Sequence, residues 1–423
     1  MKHLLVIIVL LGHAGFVAGE DRGASEPRPY SDRKPTNVDK EYKRFHPYAL
    51  KLIVTGRVDQ AIKFLNNLPE PVKSDPQTQL LLDVAHGRSS WKLDAATWPF
   101  ERTLPHILKN PADVGGRFTI AFGGGAGYVP DRERMWTTIG SFDPTALLLL
   151  GDNVYIDDPL TPELQRYHYY RRQSRPEWRK LAAKVPVYAI WDDHDFSTDD
   201  SWGGPEIDKP AWKRKVWEIF KDNWANPSYG GGDEHPGVWF DFRLGDVHFV
   251  MLDCRYYREN PRNDEPSMLG AYQLAWLKKT LAESDATFKV IVSSVPWAKD
   301  VKPGSKDTWD GYDAEREAIF RHIAERKIEG VVLLSADRHR SDAYRIHRPG
   351  AYDLYEFSSS RLTNQHVHKL MPHALFGYNE KPSFGLVEFD TAAADPTVTY
   401  TIVNIDGEKI HTLTIKRSQL INR

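Results

Sequence analysis

Apolar and polar positions follow two different rhythms along this chain. From Asp39 to about Gly87 the apolar residues recur at helical spacing. Tyr48, Leu50, Leu52 and Ile53 precede Gly56, and Val58, Ala61, Ile62, Phe64 and Leu65 follow it until Pro69 and Pro71 stop the run. Leu80, Leu81, Leu82 and Val84 mark a third helix that ends near Gly87. The pattern predicts a small helical subdomain over 39–100, similar to one and a half tetratricopeptide-type hairpins. One such unit cannot bury its own face as a repeat array does. A bracing role is therefore expected ahead of a peptide-binding one, and protein contact through the hairpin is the partner reading.

Beyond Arg117 the runs shorten. Arg117–Phe122, Ala146–Leu150 and Val187–Trp191 are brief apolar stretches that end in loops of Gly, Asp and His. Pro162–Lys184 reads as helical. Val238–Arg243 and Val247–Asp253 flank Leu244-Gly245-Asp246, a hairpin turn signal. Lys289–Ser293 and Val331–Ser335 are further buried-strand candidates, and strands are expected near 353–358, 384–389, 397–403 and 409–415. Helices between short apolar runs, then a series of strands, predict an α/β core with a strand-rich second half.

The N-terminus carries a different signal. Lys2, the apolar run Leu4–Leu11 and the small residues Val17-Ala18-Gly19 before Glu20 read as a secretory signal over 1–19. That run is too short to span a bilayer, and no later segment is apolar enough to do so. Residues 20–38, rich in Pro, Ser, Arg and Asp, read as a linker. The expected location is secreted or periplasmic. A formal net charge of −2 gives no basic surface for nucleic acid. Cys254 is the single cysteine, so no internal disulfide can form.

Polar residues gather just after the predicted strands, where ligands bind in α/β sheets. Gly151-Asp152-Asn153-Val154-Tyr155 follows Leu147–Leu150. A carboxylate there can bridge two hard cations, and Tyr155 can return as a phenolate ligand; alone, the stretch also fits a plain turn. Trp191-Asp192-Asp193-His194-Asp195 sets four ionisable residues after a buried strand. Carboxylates this close raise one another's pKa unless a cation neutralises them, and His194, held by Asp195, suits a general acid. Ser335-Ala336-Asp337-Arg338-His339 follows a third strand. On an extended backbone Asp337 and His339 point the same way and offer an oxygen and a nitrogen to a metal. Arg255 and Arg258 fit either phosphate contacts or, for Arg255, a structural ion pair with Asp253. Cys254 reads as a small core residue. His366, His368 and His373 read as surface-loop histidines, or else as residues at the pocket mouth that add a ligand.

These residues resemble the PhoD-like alkaline phosphatase family of the calcineurin-like metallophosphoesterases. The likeness covers 115–423 and runs through Phe122-Gly123, Gly151-Asp152 with Tyr155, Trp191-Asp192-Asp193-His194-Asp195 and Leu252-Asp253 with Arg255 and Arg258. It continues in Leu269-Gly270, Trp309-Asp310-Gly311-Tyr312 and Asp337 with His339. The resemblance implies a four-layer α/β/β/α sandwich, and metal-dependent hydrolysis of phosphate mono- or diesters by a metal-activated hydroxide or oxygen. It implies Asp152, Tyr155, Asp193, Asp337 and His339 as metal ligands, with calcium and iron as the metals. His194 takes the place of the histidine that contacts phosphate and assists the leaving group. Joined to the cluster readings, the expected catalytic set is His194, Asp195 and Arg255, with Arg255 and Arg258 on phosphate.

Two positions depart from the family. Its first motif ends in a thiolate that ligates iron, whereas the stretch here is Phe122-Gly123-Gly124-Gly125, and glycine has no ligand atom. Asp199 stands where relatives often carry Asn, and reads as an additional ligand or as a solvated acid beside Asp200. The alternative function is accordingly a weakened family member that binds phosphorylated or polyanionic ligands.

Overall fold

The computed structural model describes residues 8–9, 45–46, 48–53, 55–70, 72–74, 76–87, 91–92, 114–173 and 175–422. The signal-peptide stretch, apart from Ile8–Val9, and the 20–38 linker lie outside the described residues. The chain divides into two compact units, Met1–Arg102 and Thr103–Arg423.

In the first unit residues 45–46 and 48–53 are helical, followed by α1 (Val58–Asn66) and α2 (Pro76–Ala85). Ala61 and Leu65, four residues apart on α1, are both fully buried, as an inward-facing helical stripe requires. Phe64 receives Phe45 and Tyr48 edge-on, with ring centroids 5.5 and 4.8 Å away. Buried His46 bonds Thr78 Oγ1 at 2.7 Å, which ties the first helical segment to α2. Ile8–Val9 pairs in parallel with Trp91–Lys92.

The second unit is built on two sheets. Its strands in chain order are β1 (Arg117–Gly123), β2 (Ala146–Leu150), β3 (Val187–Ile190), β4 (Phe240–Leu244), β5 (Val247–Met251), β6 (Phe288–Val292) and β7 (Val331–Ser335). They continue with β8 (Ser341–Ile346), β9 (Leu354–Ser359), β10 (Phe376–Tyr378), β11 (Ser383–Asp390), β12 (Thr397–Asn404) and β13 (Lys409–Lys416). One sheet has the order β10-β8-β9-β7-β6-β5-β4, the other β13-β12-β11-β1-β2-β3. Within them β1-β2-β3 and β5-β6-β7-β9 are parallel. Every residue of β2, β5, β6 and β7 is buried, the burial of parallel strands covered on both faces.

Aromatic side chains fill the space between the sheets. Phe389 of β11 lies 5.8 Å from Phe249 and 5.9 Å from Phe288, Tyr188 stacks on Phe242 at 3.9 Å, and Tyr400 stacks on Phe357 while donating to Ser358 O at 2.9 Å. Helices occupy the crossovers, so the unit is the expected α/β sandwich with two multi-stranded sheets. The 162–184 stretch is two helices, Pro162–Gln173 and Pro176–Ala182. Pro176 opens the second, and the extended backbone of Arg175 before it breaks the first pattern. Strand β8 has no apolar run to announce it: its buried Asp342 is accepted inside because Arg340 Nε donates to it at 2.5 Å and Tyr344 Oη at 2.9 Å. No helix among the described residues is long and apolar enough to cross a membrane.

Candidate metal centre

The loops after β1, β2 and β9 are knitted together by their own backbones. Gly124 N–H donates to Ser359 O (3.0 Å), Gly125 N–H to Gly151 O (3.3 Å), Ala126 N–H to Asp152 O (2.7 Å) and Asn364 N–H to Gly125 O (3.1 Å). At Gly151, with φ of +99°, a Cβ would stand 2.5 Å from Asp192 Cβ. Only glycine lets the loops after β2 and β3 come this close. Asp152, Asp157, Asp200, Asp337 and His339 have φ of 51°, 56°, 54°, 62° and 47°. Left-handed backbone at such residues costs about 1 kcal/mol or more apiece and persists where the surroundings enforce it, commonly at functional sites.

Asp152, Asp193 and His194 each place one donor atom within 4.8 Å of the other two. Tyr155 Oη donates to Asp152 Oδ2 at 2.8 Å, while Asp152 Oδ1 is buried with no hydrogen-bond partner. Burial pushes the Asp152 carboxyl well above its ordinary range; His194 opposes the shift, and Asp193, Asp192 and Asp195 add to it. An orphaned oxygen within a knot of buried carboxylates is what a cation satisfies, so these residues fit a bound metal ion. Asp193, Asp199 and Asp200 form a second group within the same spacing. There Asp193 Oδ2 accepts the Asp200 N–H at 2.6 Å, and the Asp199 side chain is 86% exposed.

Tyr155 links this group to His339. Its hydroxyl lies 3.0 Å from His339 Nε2 and accepts from Asn364 Nδ2, which is 3.2 Å from the same histidine nitrogen. Burial, then the Asp152 carboxylate, raise the Tyr155 phenol well above 10, so a phenolate forms there only against a cation. His339 also belongs to a third close-set group with His366 and His368.

Several expectations are corrected by these positions. Asp195 does not hold His194: its oxygens accept the N–H groups of Asn153 (3.1 Å), Val154 (3.0 Å) and Asp192 (3.1 Å). The two residues are consecutive on the short helix Asp193–Phe196, and consecutive helical side chains do not face each other. His194 Nδ1 instead donates to Asp157 Oδ1 at 2.5 Å. Arg255 and Arg258 are buried and committed to carboxylates. Arg255 Nε donates to Asp192 Oδ1 (2.6 Å) and Nη1 to Asp307 Oδ1 (2.8 Å); Arg258 Nη2 lies 2.7 Å from Asp307 Oδ1. The pair foreseen between Asp253 and Arg255 is also absent, because Asp253 Oδ1 takes Trp191 Nε1 and the Arg255 backbone N–H. The positive φ at Asp337 and His339 removes the extended backbone that was to align them. Asp337 pairs with Arg338 at 3.3 Å, whereas His339 contacts Tyr155 and Asn364.

Cys254 is buried, its Sγ 3.4 Å from Ser293 Oγ, and burial pushes its thiol up to about 11. At Gly125, with φ of +65°, a Cβ would lie 2.2 Å from Ser360 O, so the position lacks room for a side chain as well as having none. Sequence reasoning missed Asp157, Asn364 and Asp307. Asp157 was within reach as a carboxylate two residues past Tyr155; Asn364 and Asp307 lie in polar loops without a distinguishing spacing.

Two sheets packed face to face, with carboxylates and imidazoles massed at the ends of parallel strands, define an α/β sandwich of the metallophosphoesterase type. Residues 125–375 match the family model of the PhoD-like phosphatases. Alkaline phosphatase D of Bacillus subtilis is 32% identical over 215 residues, which cover 44% of this chain and 36% of that protein. The match thus spans about a third of the relative's length. The solved structure of PhoD superposes over 71% of this chain and 72% of its own with a TM-score of 0.57 at 18% identity, a likeness of fold. The chain belongs to the PhoD-like phosphatase family.

Proposed function

We propose that the chain hydrolyses phosphate mono- or diesters at this site as an exported, metal-dependent phosphatase. The observation that carries the reading is the partnerless, buried Asp152 Oδ1 in a group with Asp193 and His194. Family membership supports it, as does the name of the Bacillus relative. Asp152 and Asp193 would hold cations together with Tyr155 and His339, and Asp337 and Asp199 would supply further oxygen. The carboxylate-rich side suits calcium, and the phenol–imidazole side suits iron. Bound cations would neutralise charge on the phosphoryl oxygens.

The chain's own proton donor in this reading is His194. Burial works against its protonation, but with no cation bound Asp152, the hydrogen bond to Asp157 and Asp193 outweigh it and raise the imidazole to about 11. Once Asp152 and Asp193 hold cations, the hydrogen bond to Asp157 is the contact that keeps the ring charged. With Nδ1 on Asp157, Nε2 is the atom that passes a proton to the departing oxygen. Its side chain is 18% exposed, enough for substrate to reach. Asp157 fixes the ring, and Asp195 fixes the turn that carries it. Export rests on the 1–19 leader, and protein contact through the 39–100 hairpin belongs to the same proposal.

Hydrolysis of chromogenic phosphate mono- and diesters tests this reading. Chelator should abolish turnover, and calcium with iron or another transition metal should restore it. Asp152→Asn should lose both metal and activity. A fully metal-loaded chain that binds phosphate yet turns over neither ester class would favour the binding-only alternative, and an unchanged rate in His194→Ala would remove His194 from the chemistry.

A further inference from the structure

We infer that His339, His366 and His368 form an all-imidazole site for a borderline transition-metal ion such as zinc or cobalt. Each contributes one ring nitrogen, and the three nitrogens lie within 4.8 Å of one another. The ring centroids are 5.1 Å apart for His339–His366, 5.3 Å for His339–His368 and 4.6 Å for His366–His368. Three neutral imidazoles without a carboxylate match zinc, cobalt, nickel or copper. They do not match calcium, which takes oxygen ligands.

The segment bearing His366 and His368 is held at both ends. Asn364 N–H is fixed on Gly125 O at 3.1 Å, Asn364 Oδ1 accepts the His366 N–H at 3.0 Å, and Asn379 Nδ2 donates to His368 O at 2.9 Å. Gly125 packs against the His339 ring, where a Cβ would stand 3.3 Å from Cδ2, while His339 Nε2 faces Tyr155 Oη at 3.0 Å and Asn364 Nδ2 at 3.2 Å. Arg338 Nη2 lies 2.8 Å from His368 Nδ1. A guanidinium has only donors, so that nitrogen presents a lone pair, as a metal ligand must. A cation takes it by displacing the Arg338 N–H, and Arg338 keeps Asp337 as its partner at 3.3 Å. His366 is exposed, which gives the ion an entry from solvent and leaves coordination positions for water.

The site draws on His339, which the proposed phosphatase centre also uses, and rests on that reading through this residue alone. A neutral imidazole has one lone pair, so His339 serves one ion at a time and zinc here competes with the phosphatase cation for it. Its test is metal binding. The full chain, stripped with chelator, is dialysed against zinc, cobalt or calcium and its metal content measured, in parallel with His366→Ala/His368→Ala. The wild type should hold one more zinc ion per chain than the double variant, with calcium content equal in the two. Cobalt-loaded wild type should show a visible d–d absorption that the double variant lacks. If the double variant folds poorly by circular dichroism, the single variants carry the same readout, each with zinc affinity weakened at least about tenfold. Equal zinc stoichiometry and affinity in wild type and variants would overturn the site. Ester hydrolysis is scored separately, so an inactive chain that still loses one zinc in the double variant sinks the phosphatase reading and leaves this site standing.

Discussion

Asp157 and His194 form a short polar contact at the centre, with Oδ1 2.5 Å from Nδ1. The pair joins the loop after β2 to the loop after β3, and Asp157 reaches it from a left-handed backbone with φ of 56°. This carboxylate, not Asp195, sets the tautomer of the imidazole, and after Asp152 it does most to offset burial and favour the charged ring. Asp157→Asn keeps the shape and removes the charge. Its kcat on a chromogenic ester should fall about 10–100-fold with KM little changed, as when a residue orienting a functional imidazole is lost. Asp195→Asn should act differently: it weakens three backbone contacts, so its first effect is a lower melting temperature. Full activity in Asp157→Asn would mean that the contact is only structural.

Asp307 is the counterweight to two buried guanidinium groups. It meets Arg255 at 2.8 Å and Arg258 at 2.7 Å, and Lys302 at 3.3 Å. Burial would raise its carboxyl, but Arg255, Arg258 and Lys302 outweigh burial and hold it well below the usual carboxylate range. Asp307→Asn leaves buried cations short of a partner, and a loss of about 3–5 kcal/mol is expected at pH 7. A carboxyl whose folded pKa is depressed adds its stability in full above its unfolded value, about 3.9. That contribution fades as pH falls toward the folded value. Denaturant melts should therefore show the wild-type advantage intact from neutral pH down to about pH 4 and shrinking only below it. An advantage that already fades near pH 6 would contradict this origin.

The α/β frame was legible because buried parallel strands appear as apolar runs. Leu147–Leu150 and Val331–Leu334 sit where the pattern put them, and the residues just beyond them supply the centre. What stayed hidden was set by contacts between distant segments. Arg255 looked like a phosphate ligand because nothing local reveals that Asp307, 52 residues away, occupies it. The alternation rule for Asp337 and His339 failed because it assumes an extended backbone, and both residues are left-handed. Strand β8 was missed because its interior charge, Asp342, is paired by residues on its own strand or next to it.

Cys254 offers a sharp negative prediction. Its thiol is buried, pushed up to about 11 by burial and bonded to Ser293, so it is not a thiolate, and it belongs to none of the three close-set donor groups. Cys254→Ala should retain the metal content and ester-hydrolysis rate of the wild type, with a stability loss of about 1 kcal/mol from the lost packing. In native wild type a thiol reagent should react slowly and denaturant should release the reaction. A drop in metal content in the alanine variant would bring this cysteine into the centre.

Gly125 decides whether the missing thiolate can be restored by substitution. A Cβ there meets Ser360 O at 2.2 Å and His339 Cδ2 at 3.3 Å, on a backbone with φ of +65°. Gly125→Ala must both adopt a left-handed conformation and push back the backbone carbonyl of Ser360, and a destabilisation of about 2 kcal/mol or more is expected in urea melts. Gly125→Cys carries the same strain, and its sulfur can be accommodated only if the 359–364 segment moves. Iron-loaded Gly125→Cys should therefore show no thiolate-to-iron absorption and should bind less metal than the wild type, because the displaced segment also carries Asn364. A stable, coloured Gly125→Cys protein would mean that this loop yields readily and that glycine is a replaceable residue rather than one required by the close approach of three loops.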